Sequence, residues 1–174
     1  MPVEYELKFI LDRTKHNDIA KAISSKSQSI TNITQSYIND GRIRKIERND
    51  EVSFVFTFKA DVKNELIEIE TDISEEDYEK LFTISKSIVR KKRITVVDGS
   101  HNWDVDLIYN GGECYFVVAE VECNYGEKPS ILKELEPYVV YSVPYEDNSS
   151  FTNKKIANRD YAEKVYSSLH KYSL

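Results

Sequence analysis

Pairs of like-charged residues separated by a single position recur along this chain: Glu4/Glu6, Arg42/Arg44, Glu68/Glu70, Lys91/Arg93, Asp104/Asp106 and Glu120/Glu122. A spacing of two is the period of a β-strand, so both members of a pair project from one face. Like charges that close repel, and a solvated sheet face more usually mixes Thr, Ser, Lys and Gln. The pairs become tolerable where opposite-sign neighbours or bound ions neutralise them. Carboxylate pairs suit a hard cation such as Mg2+, which takes carboxylate oxygens and water. Cationic pairs suit phosphate oxygens, which arginine can bind bidentately. A surface offering both favours a metal-bound polyphosphate. The plainer alternative is an amphipathic sheet whose polar face simply meets water.

The stretches that carry the pairs alternate throughout. Val3, Tyr5, Leu7 and Phe9 share a face opposite Glu4, Glu6, Lys8 and Ile10, and Phe54, Phe56 and Phe58 face away from Thr57 and Lys59. Ile67, Ile69 and Ile73 oppose Glu68, Glu70 and Asp72, and Trp103, Val105, Leu107 and Tyr109 oppose Asp104 and Asp106. Val117, Ala119, Val121 and Cys123 oppose Glu120 and Glu122. The pattern predicts a largely antiparallel β protein. If the apolar faces pack outward under helices, the charged faces line the inside of a closed barrel. Such a lumen is costly unless it stays wet and binds something. Helices are predicted over 14–25, over 74–85 behind the capping-type Ser74-x-x-Asp77, over 129–135, and over 153–172 with a break near Asn158. Turn signals fall at Asn39-Asp40-Gly41, Asp98-Gly99 and Asn110-Gly111-Gly112. With no repeat or linker, residues 1–174 read as a single domain.

Composition narrows the function. Lys and Arg number 24 against 30 Asp and Glu, a net charge of −6 that argues against a nucleic-acid coat. No apolar run approaches the roughly 20 residues that cross a bilayer, and the charged N-terminal stretch is no secretory signal, so a cytoplasmic location is expected. Only 5 glycines are present and no phosphate-cradling glycine loop. Cys114 and Cys123 have neither metal-type spacing nor a disulfide framework, and His16, His101 and His170 stand far apart. Ser-His or Cys-His catalysis has no support.

The stretch Glu4-x-Glu6-x-Lys8 resembles the first-strand signature of the CYTH superfamily, the triphosphate tunnel metalloenzymes. The remainder fits in order: Gln35-x-Tyr37, Arg42-Ile43-Arg44, Thr57-x-Lys59, Glu68-x-Glu70, Lys91-x-Arg93, Trp103-Asp104-Val105-Asp106 and Ala119-Glu120-Val121-Glu122. The tail Phe151-Thr152-Asn153, followed by Ile156-Ala157, is similar to a further family pattern. The resemblance implies a mainly β, α+β fold: an eight-stranded antiparallel β-barrel tunnel with helices packed outside.

The resemblance also implies divalent-metal-dependent hydrolysis of a triphosphate compound. Glu4, Glu6, Glu120 and Glu122 would bind Mg2+ or Mn2+, with Glu68, Glu70 and Asp106 supporting a second ion. Lys8, Arg42, Arg44, Lys59, Lys91 and Arg93 would grip phosphate. Lys8, crowded by cations and lowered in pKa, would act with Tyr37 as a general-base dyad, or else Lys8 only binds phosphate. Leu66 stands where the family often has Arg, Ala60 for a common Gly, Tyr115-Phe116 for a frequent Gly-Leu, and Phe151 for Tyr. Gln35-x-Tyr37 is similar to the bacterial tripolyphosphatase branch. Thiamine triphosphate, ATP in a class IV-type adenylate cyclase, and a non-catalytic sensor of polyphosphate or nucleotide are the alternatives. The expected partner is a small-molecule triphosphate, with no nucleic acid and no membrane. Tyr138, Tyr141 and Tyr145 would mark a homodimer contact or complete the outer core.

Overall fold

A computed structural model describes residues 5–169; Glu4 and His170 lie outside them. The alternating stretches form strands: β1 (Tyr5–Leu11), β2 (Ser27–Ile38), β3 (Gly41–Arg48), β4 (Glu51–Val62), β5 (Glu65–Asp72), β6 (Ile88–Asp98), β7 (His101–Asn110), β8 (Glu113–Cys123) and β9 (Val139–Ser142). They make one antiparallel sheet in the order β5-β4-β3-β2-β6-β7-β8-β1-β9. Two hairpins turn without any of the expected signals. Asn49-Asp50 and Lys63-Asn64 each place two successive residues at positive φ, the conformation that suits a two-residue connection between twisted strands.

The expected eight-stranded closed barrel is not what forms. The described residues give nine strands, and no pairing joins β5 to β9. The reason lies at the outer edge of β1. Phe9 to Leu11 pair with β9, Val143 N–H donates to Lys8 O (3.0 Å), and Asn148 Nδ2 donates to Glu6 O (2.6 Å). With those carbonyls occupied by the segment that follows β8, β5 has no place on the β1 edge, and β9 ends the sheet there. The sheet curls but stays open.

Helices α1 (His16–Ser24) and α2 (Glu75–Ile84) lie close to their predicted spans. Ser74 caps α2, accepting from Asp77 N at 3.0 Å, and Tyr78 of α2 packs on Phe54. The predicted 129–135 helix does not form; irregular turns lead into a 3₁₀ turn at Glu136–Tyr138. Prolines at 129 and 137 leave too few residues to repay helix nucleation. The C-terminal helix breaks where expected, into α3 (Asn153–Ile156) and α4 (Arg159–Leu169). Among the described residues no helix is long and apolar enough to cross a membrane.

Two apolar clusters hold these elements. On the outer face, Ile94, Val96, Trp103, Val105, Leu107, Val117 and Val121 pack under Ile19 and Ile23 of α1 and under Leu132 and Leu135. The second cluster lies on the inner face. Positions that continue the charged register (Ile10 after Lys8, Val89 before Lys91, Ile108 after Asp106, Val118 before Glu120) are apolar and buried with Phe151, Ile156, Ala162, Tyr166 and Leu169. α3 and α4 therefore seal one end of the curl. α4 is latched by Arg13, which binds Glu163 through two hydrogen bonds (2.6 and 3.0 Å) and lies 4.3 Å from the Tyr166 ring centroid. Tyr138 and Tyr141 pack against the outer and inner clusters respectively, while Tyr145 is exposed and stacks on Tyr5.

Candidate functional site

Antiparallel register brings the like-sign pairs of neighbouring strands face to face. On β1 and β8, Lys8 stands opposite Glu120 and Glu6 opposite Glu122. Lys8 Nζ lies 3.0 Å from Glu120 Oε1 and 2.5 Å from Glu6 Oε1. Burial acts to lower the Lys8 pKa, but the carboxylates of Glu120 and Glu6 outweigh it and the pKa is raised. The expectation of a lowered pKa is thus reversed, because the nearest charges are acids and not cations. Burial, and then repulsion from Glu6, raises the Glu120 pKa against the pull of Lys8.

On β6 and β7, Asp106 faces Arg93 in register and is fully buried. Its carboxylate accepts from Lys91 Nζ (2.6 Å), Arg93 Nε (2.7 Å) and Arg93 Nη2 (2.8 Å). Burial pushes its pKa up, yet Lys91 and Arg93 hold it well below the usual carboxylate range. Burial also depresses the Lys91 pKa, against the attraction of Asp106. Arg93 reaches on to Asp104 at 3.0 Å.

The far flank repeats the theme at higher exposure. Arg44 Nη2 donates to Glu70 Oε2 (2.6 Å) and to Thr57 Oγ1 (3.1 Å), and Thr57 Oγ1 also donates to Glu70. Lys59 Nζ stands 3.2 Å from Glu68. Arg42 differs: its positive charge lies close enough to Tyr37 to pull that hydroxyl's pKa down, and no carboxylate among the described residues pairs with it. The Nε atoms of Arg42 and Arg44 are buried with no hydrogen-bond partner among the described residues. Burial raises the Tyr37 pKa more than Arg42 and Gln35 lower it, so its hydroxyl stays protonated at neutral pH.

Apart from Asp106 and Thr57, these groups surround one cavity of about 800 Å³ on the concave side of the sheet. Of the residues singled out from sequence, Glu6, Lys8, Tyr37, Arg42, Arg44, Lys59, Glu68, Glu70, Lys91, Arg93, Glu120 and Glu122 line it. Asp106, expected beside a second ion, is not among the lining residues, and its oxygens are taken by Lys91 and Arg93. Glu4 falls outside the described residues. Sequence reasoning gave no site role to Asn153, named only in the tail pattern, or to Lys154, and missed Ser100 and Asn102 near the β6–β7 hairpin. Strand alternation carries no signal for the first two, which reach the cavity at the start of α3.

Among the described residues no group of three or more His, Cys, Asp or Glu is placed to hold a metal ion. Two carboxylates, Glu6 and Glu120, do converge on a single cationic point, and Glu122 lines the same cavity. Mg2+ is characteristically held by one or two carboxylates together with waters and substrate phosphates. The donors present fit that mode.

In sequence, no family model and no curated protein matches this chain. Solved structures do. The crystal structure of the hypothetical protein NE1496 aligns over 89% of this chain and 97% of its own, with a TM-score of 0.52 at 16% identity. The PH1012 protein from Pyrococcus horikoshii aligns over 72% of this chain and 80% of its own, with TM-score 0.46 and 19% identity. A candidate adenylate cyclase from Bacillus halodurans aligns over 70% and 81%, with TM-score 0.46 and 14% identity. The likeness to NE1496 is one of fold.

Proposed function

We propose that this chain is a divalent-metal-dependent hydrolase of triphosphate compounds, with inorganic tripolyphosphate as its substrate and Mg2+ or Mn2+ as its cofactor, a member of the triphosphate tunnel enzymes that it resembles. The observation that carries the reading is the convergence of twelve sequence-selected side chains, acids and bases together, on one cavity. A solvated sheet face would have spread them. The reading also accounts for Arg42, a cavity cation with no carboxylate partner among the described residues and a buried, unpartnered Nε.

Phosphoryl transfer asks little covalent chemistry of a protein; positioning and charge neutralisation supply most of the rate. Glu6 and Glu120 would hold the metal, which when bound neutralises phosphate charge and activates water, and Glu122 lines the same cavity. Arg42, Arg44 and Lys59 grip phosphate oxygens from the β3–β4 side, and Arg93 from the β6 side. Asp106 is a positioning residue that fixes the Arg93 guanidinium and the Lys91 ammonium. Tyr37, whose hydroxyl accepts from Gln35 Nε2 at 2.6 Å and whose pKa burial raises, would offer its own proton to a phosphate oxygen.

The test is phosphate release from tripolyphosphate, thiamine triphosphate and ATP, each with Mg2+ or Mn2+ and with EDTA. Orthophosphate from tripolyphosphate, abolished by EDTA and reduced on the order of 100-fold in Glu6→Gln and Glu120→Gln proteins that still fold, is expected. Arg42→Ala should raise KM and lower kcat together. Pyrophosphate and cyclic AMP from ATP would assign a cyclase instead. Saturable binding without turnover would assign a sensor, and activity undiminished in EDTA would remove the metal from the mechanism.

A further inference from the structure

The sharpest unexplained feature of the cavity is the position of the Lys8 ammonium. It lies within 3.0 Å of one oxygen of Glu6, from its own strand, and one oxygen of Glu120, from the neighbouring strand. That is the point at which these two carboxylates would hold a cation of any kind. Two cations cannot share it, since unit charges a few ångströms apart in a poorly solvated site repel strongly. Resting on the reading given above, we propose that Lys8 is a resident counter-ion that competes with the metal in the substrate-free protein, and that bound triphosphate draws its ammonium away and opens the carboxylates to the metal.

Three observations support an exchangeable occupant. Lys8 meets Glu6 at a single carboxylate oxygen, across side chains that water still reaches (11% and 31% exposed). The Lys8 stem is four carbons long, so its charge can swing while its backbone stays paired in β1. The same cavity is lined by Arg93 and Arg42, so a polyphosphate bound there presents anionic oxygens to which the ammonium can turn. By linkage, a ligand that removes the competitor tightens metal binding, and the metal tightens the ligand by the same factor.

Mn2+ binding, followed by the electron paramagnetic resonance of the free ion, tests this without any turnover. Wild-type protein should bind Mn2+ weakly alone, and about 10-fold or more tightly with a nitrogen-bridged, non-hydrolysable triphosphate, measured against the Mn2+–triphosphate complex in buffer. Lys8→Met should bind Mn2+ about 10-fold more tightly than wild type with no triphosphate present, and lose most of the coupling. Lys8→Gln serves as the second variant, since removing the charge leaves two neighbouring acids to be tolerated, and the coupling in wild type needs no variant. A lysine that only binds phosphate predicts unchanged Mn2+ affinity in both variants, and that result overturns the proposal while leaving the hydrolase reading intact. Equal Mn2+ affinity of wild type with and without triphosphate overturns it as well. If wild type binds no Mn2+ under either condition, the metal reading itself falls and takes this proposal with it.

Discussion

The two flanks of the cavity are built from the same cross-strand chemistry and differ in how much water reaches it. On the β6–β7 wall the Lys91 and Asp106 side chains are 2% and 0% exposed. On the β3–β5 flank the Arg44 and Glu70 side chains are 15% and 52% exposed. Breaking a buried pair strands a charge in a poorly solvated interior and costs roughly 3–5 kcal/mol, whereas an exposed pair contributes about 0–1 kcal/mol. One wall is therefore a fixed scaffold for its cations. The other pairs Arg44 and Lys59 with carboxylates that water reaches, so on the proposed function a polyanion would draw them from Glu70 and Glu68 at little expense. Pairs that look alike along the chain thus serve different ends.

The contrast breaks most visibly at Asp106. Asp106→Asn should lower unfolding free energy by about 3–5 kcal/mol in urea titrations. A loss below about 1 kcal/mol would mean that the wall is no more rigid than its counterpart. The acid limb gives an independent reading. The Asp106 pKa is depressed in the folded chain, so its contribution is fully present above the ordinary carboxylate range and is lost as pH falls below about 4. Wild type should lose stability steeply there, and the Asn variant less steeply. A smaller effect is expected on the open flank. Glu70→Gln should change stability by less than about 1 kcal/mol, while KM for tripolyphosphate falls a few-fold because Arg44 is released to the substrate. An unchanged KM would show that Arg44 does not reach phosphate. The smallest effect belongs to the edge strand β5, where Ile69 is 56% exposed. Ile69→Thr should stay within about 0.5 kcal/mol of wild type.

Much of the site was legible because strand alternation is a face code. Once Glu6 and Lys8, Arg42 and Arg44, or Lys91 and Arg93 are assigned to strands, their shared side follows from the two-residue period alone. β2 was harder to read. Its Ser- and Thr-rich start lacks clean alternation, although β2 sits at the middle of the sheet, between β3 and β6. The seal at one end was present in the letters Ile10, Val89, Ile108 and Val118, each two positions from a charged residue. Its meaning depends on α3 and α4 arriving there from the other end of the chain.

The order of residues along the chain determined which side chains share a face, where most turns fall, and that acids and bases of both signs must be accommodated together. Tertiary structure alone decided which acid meets which base. Lys8 and Glu120 are 112 positions apart, and the β1–β8 register that joins them turned an expected cation cluster into an ion pair. It also decided that the sheet remains open, because hydrogen bonds from Val143 and Asn148 occupy the β1 edge on which closure would have depended. Local periodicity is a property of neighbours in sequence; pairing, burial and the sign of a neighbouring charge are properties of strands brought together from afar, and those set the pKa values and the rigidity of each wall.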